Sequence, residues 1–314
     1  MHPIRIISVA GLALGFTVQS FAAFSYVNTY YNTDWTSVGI GGMRGTGIQS
    51  LTLSGVSGRV TGAYLFWHGP MDPTSPSANA SVLFNGTSIT GINIGISQDN
   101  NWGYVNSQSY RADVTALVSG NGTYSLANFI KGSDVDVNGV SLYVTYNDGN
   151  AANNRDLVLF NGNDSNVGGP LDPVGWDVVL NGVNYTSGSA NIRLTVSDGQ
   201  DLGPDEAIYL NGSQLVGIGS TWQGALGPDI TGNGSLWDEK IFSIASFLRV
   251  GTNNLELQTF NPATDAMSLV VAAIDLPAGD APLPRSAVPE PSTYGLLGAG
   301  LLGMLAALRR RRKI

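Results

Sequence analysis

Hydrophobic positions in the body of the chain fall in short runs separated by Gly, Asn, Asp and Ser, and no long segment keeps a helical apolar period. Short apolar runs between turn residues are typical of β-strands. The pattern therefore predicts an all-β body. The candidate strands are Gln49 to Leu53, Val60 to Trp67, Ser81 to Phe84, Thr123 to Phe129, Val140 to Tyr146, Asp156 to Phe160, Ile192 to Val196, Ala207 to Leu210, Leu255 to Phe260 and Ser268 to Ile274.

Asn-Gly pairs directly follow four of the apolar runs. Both residues of such a pair readily adopt the positive φ that the tightest hairpin turns require. We therefore predict hairpin turns at Asn85-Gly86, Asn161-Gly162, Asn181-Gly182 and Asn211-Gly212.

The chain also contains an internal repeat. Four short motifs recur in the same order in the two halves, separated by a nearly constant offset. Matching positions are Asn85 and Asn211, Val114 and Ile244, and Leu142 and Leu269. The offset between matching positions, for example from Asn85 to Asn211, equals the length of a small domain. It predicts two tandem β-sandwich domains, at residues 23–150 and 151–276.

The order of motifs within each copy resembles jelly-roll modules of the galactose-binding-like kind. A strand that ends in Asn-Gly precedes a DVT-like segment at Asp113 to Val118, and a Gly-Thr strand begins at Gly122. The second copy repeats this order at Ser243 to Leu248 and Gly251. The resemblance implies a jelly-roll-like fold. In that family sugar binding depends on loops at one rim, and no residue of this chain is matched to those loops.

The first 22 residues have the composition of a secretory signal peptide. Arg5 supplies a positive charge, Ile6 to Val18 is apolar, and Ser20-Phe21-Ala22 is a small-x-small cleavage motif. We therefore expect signal peptidase to cut between Ala22 and Ala23, and the protein to be exported.

The C-terminal end has three distinct parts after a Pro-rich linker at residues 277–287. Pro289, Glu290 and Pro291 form an extended, accessible segment, because proline fixes φ and lacks a backbone donor. Tyr294 to Leu308 is apolar and, as a helix, about 22 Å long, which spans a membrane only marginally. A basic cluster follows, made of Arg309, Arg310, Arg311, Arg312 and Lys313. Basic residues stay on the cytoplasmic side, so this order places the body outside.

This three-part tail, residues 288–314, resembles the PEP-CTERM sorting signal of Gram-negative bacteria that secrete exopolysaccharide. The resemblance implies an inner-membrane-anchored precursor that an exosortase-type membrane protease recognises and cuts near Pro289. It also implies delivery to the cell surface or to an extracellular, biofilm-type matrix. It implies nothing about the activity of the body, since the same tail is carried by proteins of many kinds.

Charge narrows the classes of partner. The full chain has a net charge of −8. Removal of Arg5 and the five terminal basic residues leaves 9 of the 15 Lys and Arg. Removal of Glu290 leaves 22 of the 23 Asp and Glu, so the processed body has a net charge near −13. Such a charge disfavours nucleic acid and anionic membranes, and leaves cations or neutral glycans. Cysteine is absent, so disulfides and thiolate chemistry are excluded.

The sequence offers little that indicates catalysis. His68 is the one imidazole left after signal-peptide removal, and no Gly-x-Ser-x-Gly motif accompanies it. We therefore assign no catalytic residue and interpret His68 as part of a buried strand. Two carboxylates would suffice for a glycosidase, which keeps a secreted polysaccharide hydrolase open as an alternative.

One acidic loop is a candidate metal site. It places four carboxylates within nine residues, and hard oxygen ligands of this kind suit Ca²⁺. These are Asp198, Asp201, Asp205 and Glu206. The alternative is that the loop's aspartates bond their own backbone, as they do in ordinary turns. No cofactor is otherwise predicted.

Three tryptophans are candidate platforms for stacking sugar rings. Trp35, Trp102 and Trp222 lie in Gly-, Asn- and Ser-rich surroundings, whereas Trp67 lies in a strand and is interpreted as core. Core or half-exposed rim positions are the alternative for all three.

The leading hypothesis is therefore an exported, non-catalytic structural protein of the cell surface or exopolysaccharide matrix. A carbohydrate-binding module, with or without Ca²⁺, is the alternative.

Overall fold

The computed structural model describes residues 24–281 except 73–74, 76, 98–103, 169–174, 202, 230–233 and 260–264. In these ranges the chain is all-β, which confirms the predicted class. The predicted signal-peptide helix and the predicted C-terminal helix lie outside the described residues. Among the described residues, no helix has the length and hydropathy that crossing a membrane requires.

The first half contains β1 (Ser25–Ile40), β2 (Gln49–Leu53), β3 (Arg59–Met71), β4 (Ser81–Phe84), β5 (Thr87–Thr90), β6 (Ile92–Ser97), β7 (Asn106–Asp113), β8 (Gly122–Ala127) and β9 (Gly139–Asn147). The second half contains β10 (Arg155–Ser165), β11 (Asp177–Tyr185), β12 (Asn191–Ser197), β13 (Ile208–Leu210), β14 (Ser213–Val216), β15 (Trp237–Ser243), β16 (Gly251–Thr259) and β17 (Ser268–Pro277). Short 3-10 turns lie at Met43–Gly45, Thr115–Leu117 and Ala245–Phe247.

The two halves have the same internal strand order. A four-stranded sheet, β2-β8-β4-β5, belongs to the first half, and its counterpart β11-β16-β13-β14 belongs to the second. The 3-10 turns after β7 and β15 begin from Val114 and Ile244, both with φ of −119°. The segments of the sequence repeat therefore occupy equivalent places. The domain bounds 23–150 and 151–276 stay a prediction.

One large sheet joins the halves. It has nine strands in the order β15-β12-β17-β10-β1-β9-β3-β7-β6. β1 makes the connection, since Ser25 to Thr33 pairs with β10 and Asp34 to Ile40 pairs with β9. The strand changes partner beside an irregularity in the register, where Asn32 has a positive φ of 50°. The halves therefore share main-chain hydrogen bonds through β1.

Both faces of the nine-stranded sheet are buried. On one face each four-stranded sheet covers its own hydrophobic cluster, with Leu65 and Trp67 in the first half and Val158 and Phe160 in the second. Side chains that alternate with these point to the other face, where a third cluster mixes both halves. Its buried members are Phe66, Tyr143, Leu157, Leu159, Trp237, Val270, Val271 and Ala273.

The third cluster forms because the large sheet folds over. β9 and β12 are four strands apart in the sheet, which is about 19 Å along a flat sheet. Yet the hydroxyl groups of Tyr143 on β9 and Thr195 on β12 are 2.7 Å apart. Trp237 on β15 likewise donates its indole N–H to the Ser141 hydroxyl on β9 at 2.9 Å. The two halves of the sheet therefore face one another.

A buried carboxylate fixes the end of the described chain. Asp156, at the start of β10, is fully buried. Its Oδ2 accepts hydrogen bonds from the backbone N–H groups of Gly279 at 2.8 Å and Ala281 at 3.0 Å. The turn after β17 is therefore held against the beginning of β10.

Two of the four predicted hairpin turns are correct. Asn85-Gly86 joins β4 to β5 and Asn211-Gly212 joins β13 to β14, all four residues with φ between 50° and 78°. The prediction at the other two pairs is wrong. Asn161-Gly162 lies inside β10 and Asn181-Gly182 inside β11, each at a shift of strand register. In these strands the pair forms a bulge, because the chain continues along the same neighbour.

We predict that the Tyr143–Thr195 hydrogen bond couples the two halves. Tyr143→Phe removes a buried hydrogen bond and should cost about 1 kcal/mol of unfolding free energy, or ~2–4 °C in Tm. Thr195→Val should cost a similar amount. The double variant should cost clearly less than the sum of the two, because each change removes the same bond. Calorimetric unfolding of the four proteins measures this.

Tyr124→Phe is the matched control for that cycle. The Tyr124 hydroxyl donates to the Gly120 carbonyl oxygen at 2.6 Å, within one half. Its effect should therefore add to that of Thr195→Val. Additive effects of Tyr143→Phe and Thr195→Val would contradict the proposed coupling.

Candidate ligand-binding site

A polar pocket of about 280 Å³ lies where the two halves meet. β1 and β9 contribute residues from the first half, and β10, β12, β15 and β17 contribute residues from the second. The lining residues are Asp34, Trp35, Tyr146, Asn153, Arg155, Asn191, Arg193, Ile241 and Asp275. The pocket thus exists only because the large sheet folds over and brings these strands together.

Trp35 is the central aromatic side chain of the pocket. It follows the partner change in β1 and is half-buried. Its ring stacks with that of Tyr143 at 6.2 Å between centroids and 7° between planes. The Arg193 guanidinium carbon lies 5.0 Å from the Trp35 ring centroid, a cation–π distance. The indole N–H donates to Asp275 Oδ1 at 3.3 Å. These contacts hold the indole in one orientation.

Two ion pairs flank Trp35. Arg155 Nε donates to Asp275 Oδ1 at 2.9 Å, and Arg193 Nη1 lies 3.2 Å from Glu239 Oε2. Glu239 is also held by the hydroxyl groups of Ser37 and Ser141. All four charged side chains are mostly buried, so their positions are well defined.

Asp34 is the third carboxylate of the site and is 6% exposed. Its oxygens accept from the Asn153 amide and from the Asp148 backbone N–H, both at 3.1 Å. These partners are neutral, in contrast to the arginine beside Asp275. The pocket therefore offers hydrogen-bond acceptors at Asp34 and Asp275, and amide groups at Asn153 and Asn191.

The carboxylates of the predicted calcium loop pair with, or accept hydrogen bonds from, other groups of the protein. Asp198 pairs with Arg44 at 3.1 Å, and Asp205 Oδ2 accepts from the backbone N–H groups of Thr221 and Trp222. Glu206 accepts from the Asn166 amide at 3.1 Å.

These three carboxylates are buried, whereas Asp201 is exposed and accepts from Gln223 at 3.3 Å. Within the ranges that the structure describes, no three His, Cys, Asp or Glu side chains are placed to hold a metal ion. Calcium binding at this loop stays a prediction.

Asp265, which no local sequence pattern indicates, joins this acidic group. Its Oδ2 accepts from the Gln200 backbone N–H at 2.9 Å, and the residue is 7% exposed. Burial, followed by the neighbouring charges of Asp198 and Asp205, raises the pKa of Asp265 to about 8. Burial also raises the pKa of Asp205, to about 6.

The other candidate residues fall in different places. Trp222 is 1% exposed and packs edge-on against Trp176 and Phe242, so its ring belongs to the core instead of a surface platform. Trp67 is buried, as predicted, and so is His68, whose Nδ1 is 2.6 Å from the Ser197 hydroxyl. The remaining candidates lie outside the described residues. They are Ala22, Ala23, Trp102, Pro289, Glu290, Pro291, Arg309, Arg310, Arg311 and Arg312.

We predict that Asp265→Asn stabilises the protein increasingly as pH rises. The folded-state pKa is raised, so the folded protein binds the proton more tightly than the unfolded chain does. Stability from this group is therefore greatest at low pH and falls as pH rises from about 4 towards about 8. Asparagine does not titrate. The difference in Tm, variant minus wild type, should grow between about pH 5 and pH 8.

Asp201→Asn is the control, because that carboxylate is exposed. Its Tm relative to wild type at each pH gives the baseline for the loss of an exposed carboxylate. A constant difference for Asp265→Asn would contradict the assignment of a buried, protonated carboxyl group.

Comparison with known proteins identifies a motif in the tail. None of the curated proteins matches the chain. Among solved structures, a recombinant peptide:N-glycanase F (PNGase F) is 11% identical over 84% of this chain and 97% of that one, with a TM-score of 0.22, too low to indicate a shared fold. Residues 287–312 match the PEP-CTERM protein-sorting motif. The chain therefore carries a PEP-CTERM protein-sorting motif.

Proposed function

We propose that the protein is an exported, non-catalytic component of the cell surface or exopolysaccharide matrix, and that it binds saccharides in the pocket at Trp35. The sorting motif supports export and surface delivery, because it is typical of secreted or cell-surface proteins of Gram-negative bacteria that an exosortase recognises. Cleavage near Pro289 and residence in the matrix are proposed on the same ground.

The geometry of Trp35 carries the second part. Sugars present apolar C–H faces and polar hydroxyl edges, so their sites combine an aromatic ring with convergent hydrogen-bonding groups. The pocket has this combination, with Trp35 and Tyr146 beside two carboxylates and two amides. Its volume of about 280 Å³ is close to the ~300 Å³ lower end for small-molecule sites. A single sugar unit or a chain end suits this size.

Binding is favoured over hydrolysis by the partners of the two carboxylates. A glycosidase needs one carboxyl group that carries a proton to the leaving group. Here Asp34 and Asp275 both accept hydrogen bonds from N–H donors, and Arg155 adds a positive charge beside Asp275. This arrangement suits two hydrogen-bond acceptors better than an acid and a base.

We predict that Trp35→Ala weakens binding to the host's purified exopolysaccharide about tenfold, a loss of ~1.4 kcal/mol, because the aromatic surface that the indole adds to the pocket wall is lost. Depletion of the protein from solution by the insoluble polymer measures this. Tyr26→Ala is the matched control, since Tyr26 is a 54% exposed aromatic residue outside the pocket. Equal binding of wild type and Trp35→Ala would remove this site from the proposal.

We predict that sorting removes the tail. In its host, the mature protein should have an intact mass that ends near Pro289, and it should be found in surface or matrix fractions. In a strain without the exosortase, the full C-terminus should remain, in the inner-membrane fraction. A full-length C-terminus in both strains would show that the tail is a plain anchor.

A further inference from the structure

We infer that the pocket at Trp35 selects neutral saccharides over acidic ones, and that Asp275 and Glu239 determine this selection. This inference rests on the proposed saccharide-binding function. It concerns the charge of the ligand, because the two arginines beside Trp35 would ordinarily attract uronate or sulfate groups. Each arginine instead forms an ion pair with a carboxylate of the protein itself.

Asp275 forms an ion pair with Arg155. The Arg155 side chain donates from Nε to Asp275 Oδ1 at 2.9 Å, and its Nη2 donates to the Ser189 carbonyl oxygen. The same Asp275 oxygen accepts the Trp35 indole N–H. Asp275 thus fixes both the cation and the aromatic ring, and Nε and Nη2 of Arg155 are directed at protein oxygens.

Glu239 forms an ion pair with Arg193. The carboxylate is 7% exposed, and the hydroxyl groups of Ser37 and Ser141 fix it from two strands of the other half. Arg193 Nη1 donates to Glu239 and to the Ser37 hydroxyl, while the guanidinium lies over Trp35. An acidic ligand would have to displace a carboxylate that is already buried and hydrogen-bonded.

Asp34 then determines the sign of the net charge in the pocket. With two guanidinium groups balanced by Asp275 and Glu239, Asp34 is a third carboxylate whose partners are the neutral Asn153 amide and a backbone N–H. The local charge is therefore close to −1, within a chain of net charge −8. An incoming anion meets a like charge, which costs affinity, whereas a hydroxyl group can donate to Asp34 or Asp275.

Matched pairs of sugars test the inference. Methyl glucoside and methyl glucuronide differ at C6 alone, a hydroxymethyl group in one and a carboxylate in the other, and galactose and mannose give equivalent pairs. Binding to the mature protein from its host is measured by ligand-observed NMR titration. In each pair whose neutral member binds, that member should bind at least about tenfold more tightly. An acidic member that binds as tightly as its neutral partner would overturn the inference and leave saccharide binding intact.

Failure of the proposed function has a different signature. If no neutral or acidic member of any pair binds, and the exopolysaccharide does not deplete the protein, saccharide binding itself is wrong and the charge selection is wrong with it. The two failures are therefore distinguishable in one set of titrations.

Asp275→Asn provides a gain-of-function test. It leaves an acceptor for the indole N–H but removes the charge beside Arg155, so acidic sugars should bind about tenfold more tightly than they do to wild type. The readout is the ratio of acidic to neutral affinity within each pair, which should rise about tenfold. Glu239→Gln does the same at Arg193 and serves if the first variant fails to fold.

Asp280→Asn is the matched control for the variants. It removes the same charge at a residue that accepts from Thr186 and lies outside the pocket. It should leave acidic sugars excluded. If neither pocket variant binds acidic sugars better, or if Asp280→Asn improves their binding equally, the selection is not made by the two ion pairs.

Discussion

The architecture depends on the pairing of β1 with two strands that belong to different halves of the chain. Its first part hydrogen-bonds to β10 and its second part to β9, so a single strand carries the main-chain ladder from one half into the other. Because the large sheet then folds over, residues on distant strands meet across the third hydrophobic cluster. The position of Trp35, and with it the pocket between the two halves, follows from this one strand.

The strands that sequence could predict are those with dense apolar runs. Gln49 to Leu53 and Ser81 to Phe84 were predicted with the observed bounds, because each covers a hydrophobic cluster and has a clear turn after it. β1 was missed. Its sequence, SYVNTYYNTDWTSVGI, has few aliphatic residues, and most of its side chains are half-buried or exposed. Pattern alone does not distinguish such a strand from a loop.

The pocket could not be predicted for a different reason. Trp35 was a candidate because of its local composition, but its partners Arg193 and Asp275 lie 158 and 240 residues away. Their meeting depends on how the sheet folds over, which no local signal encodes. Trp222 shows the converse, since its Gly-rich neighbourhood suggested exposure and yet its ring packs against Trp176 in the core. Loop-like composition reports the backbone and leaves the direction of a side chain open.

The two ends of the described chain leave β10 at opposite places. Ser25 of β1 pairs opposite Asn161, whereas Pro277 of β17 pairs opposite Arg155, about 20 Å away along the strand. Arg155 lines the pocket, and the turn after β17 is fixed beside it by Asp156. The 13 residue steps from Ala281 to Tyr294, where the apolar run begins, can span at most about 45 Å. If the apolar run holds the precursor as proposed, the end of β10 that carries Arg155 stays within about that distance of the membrane until the tail is cut.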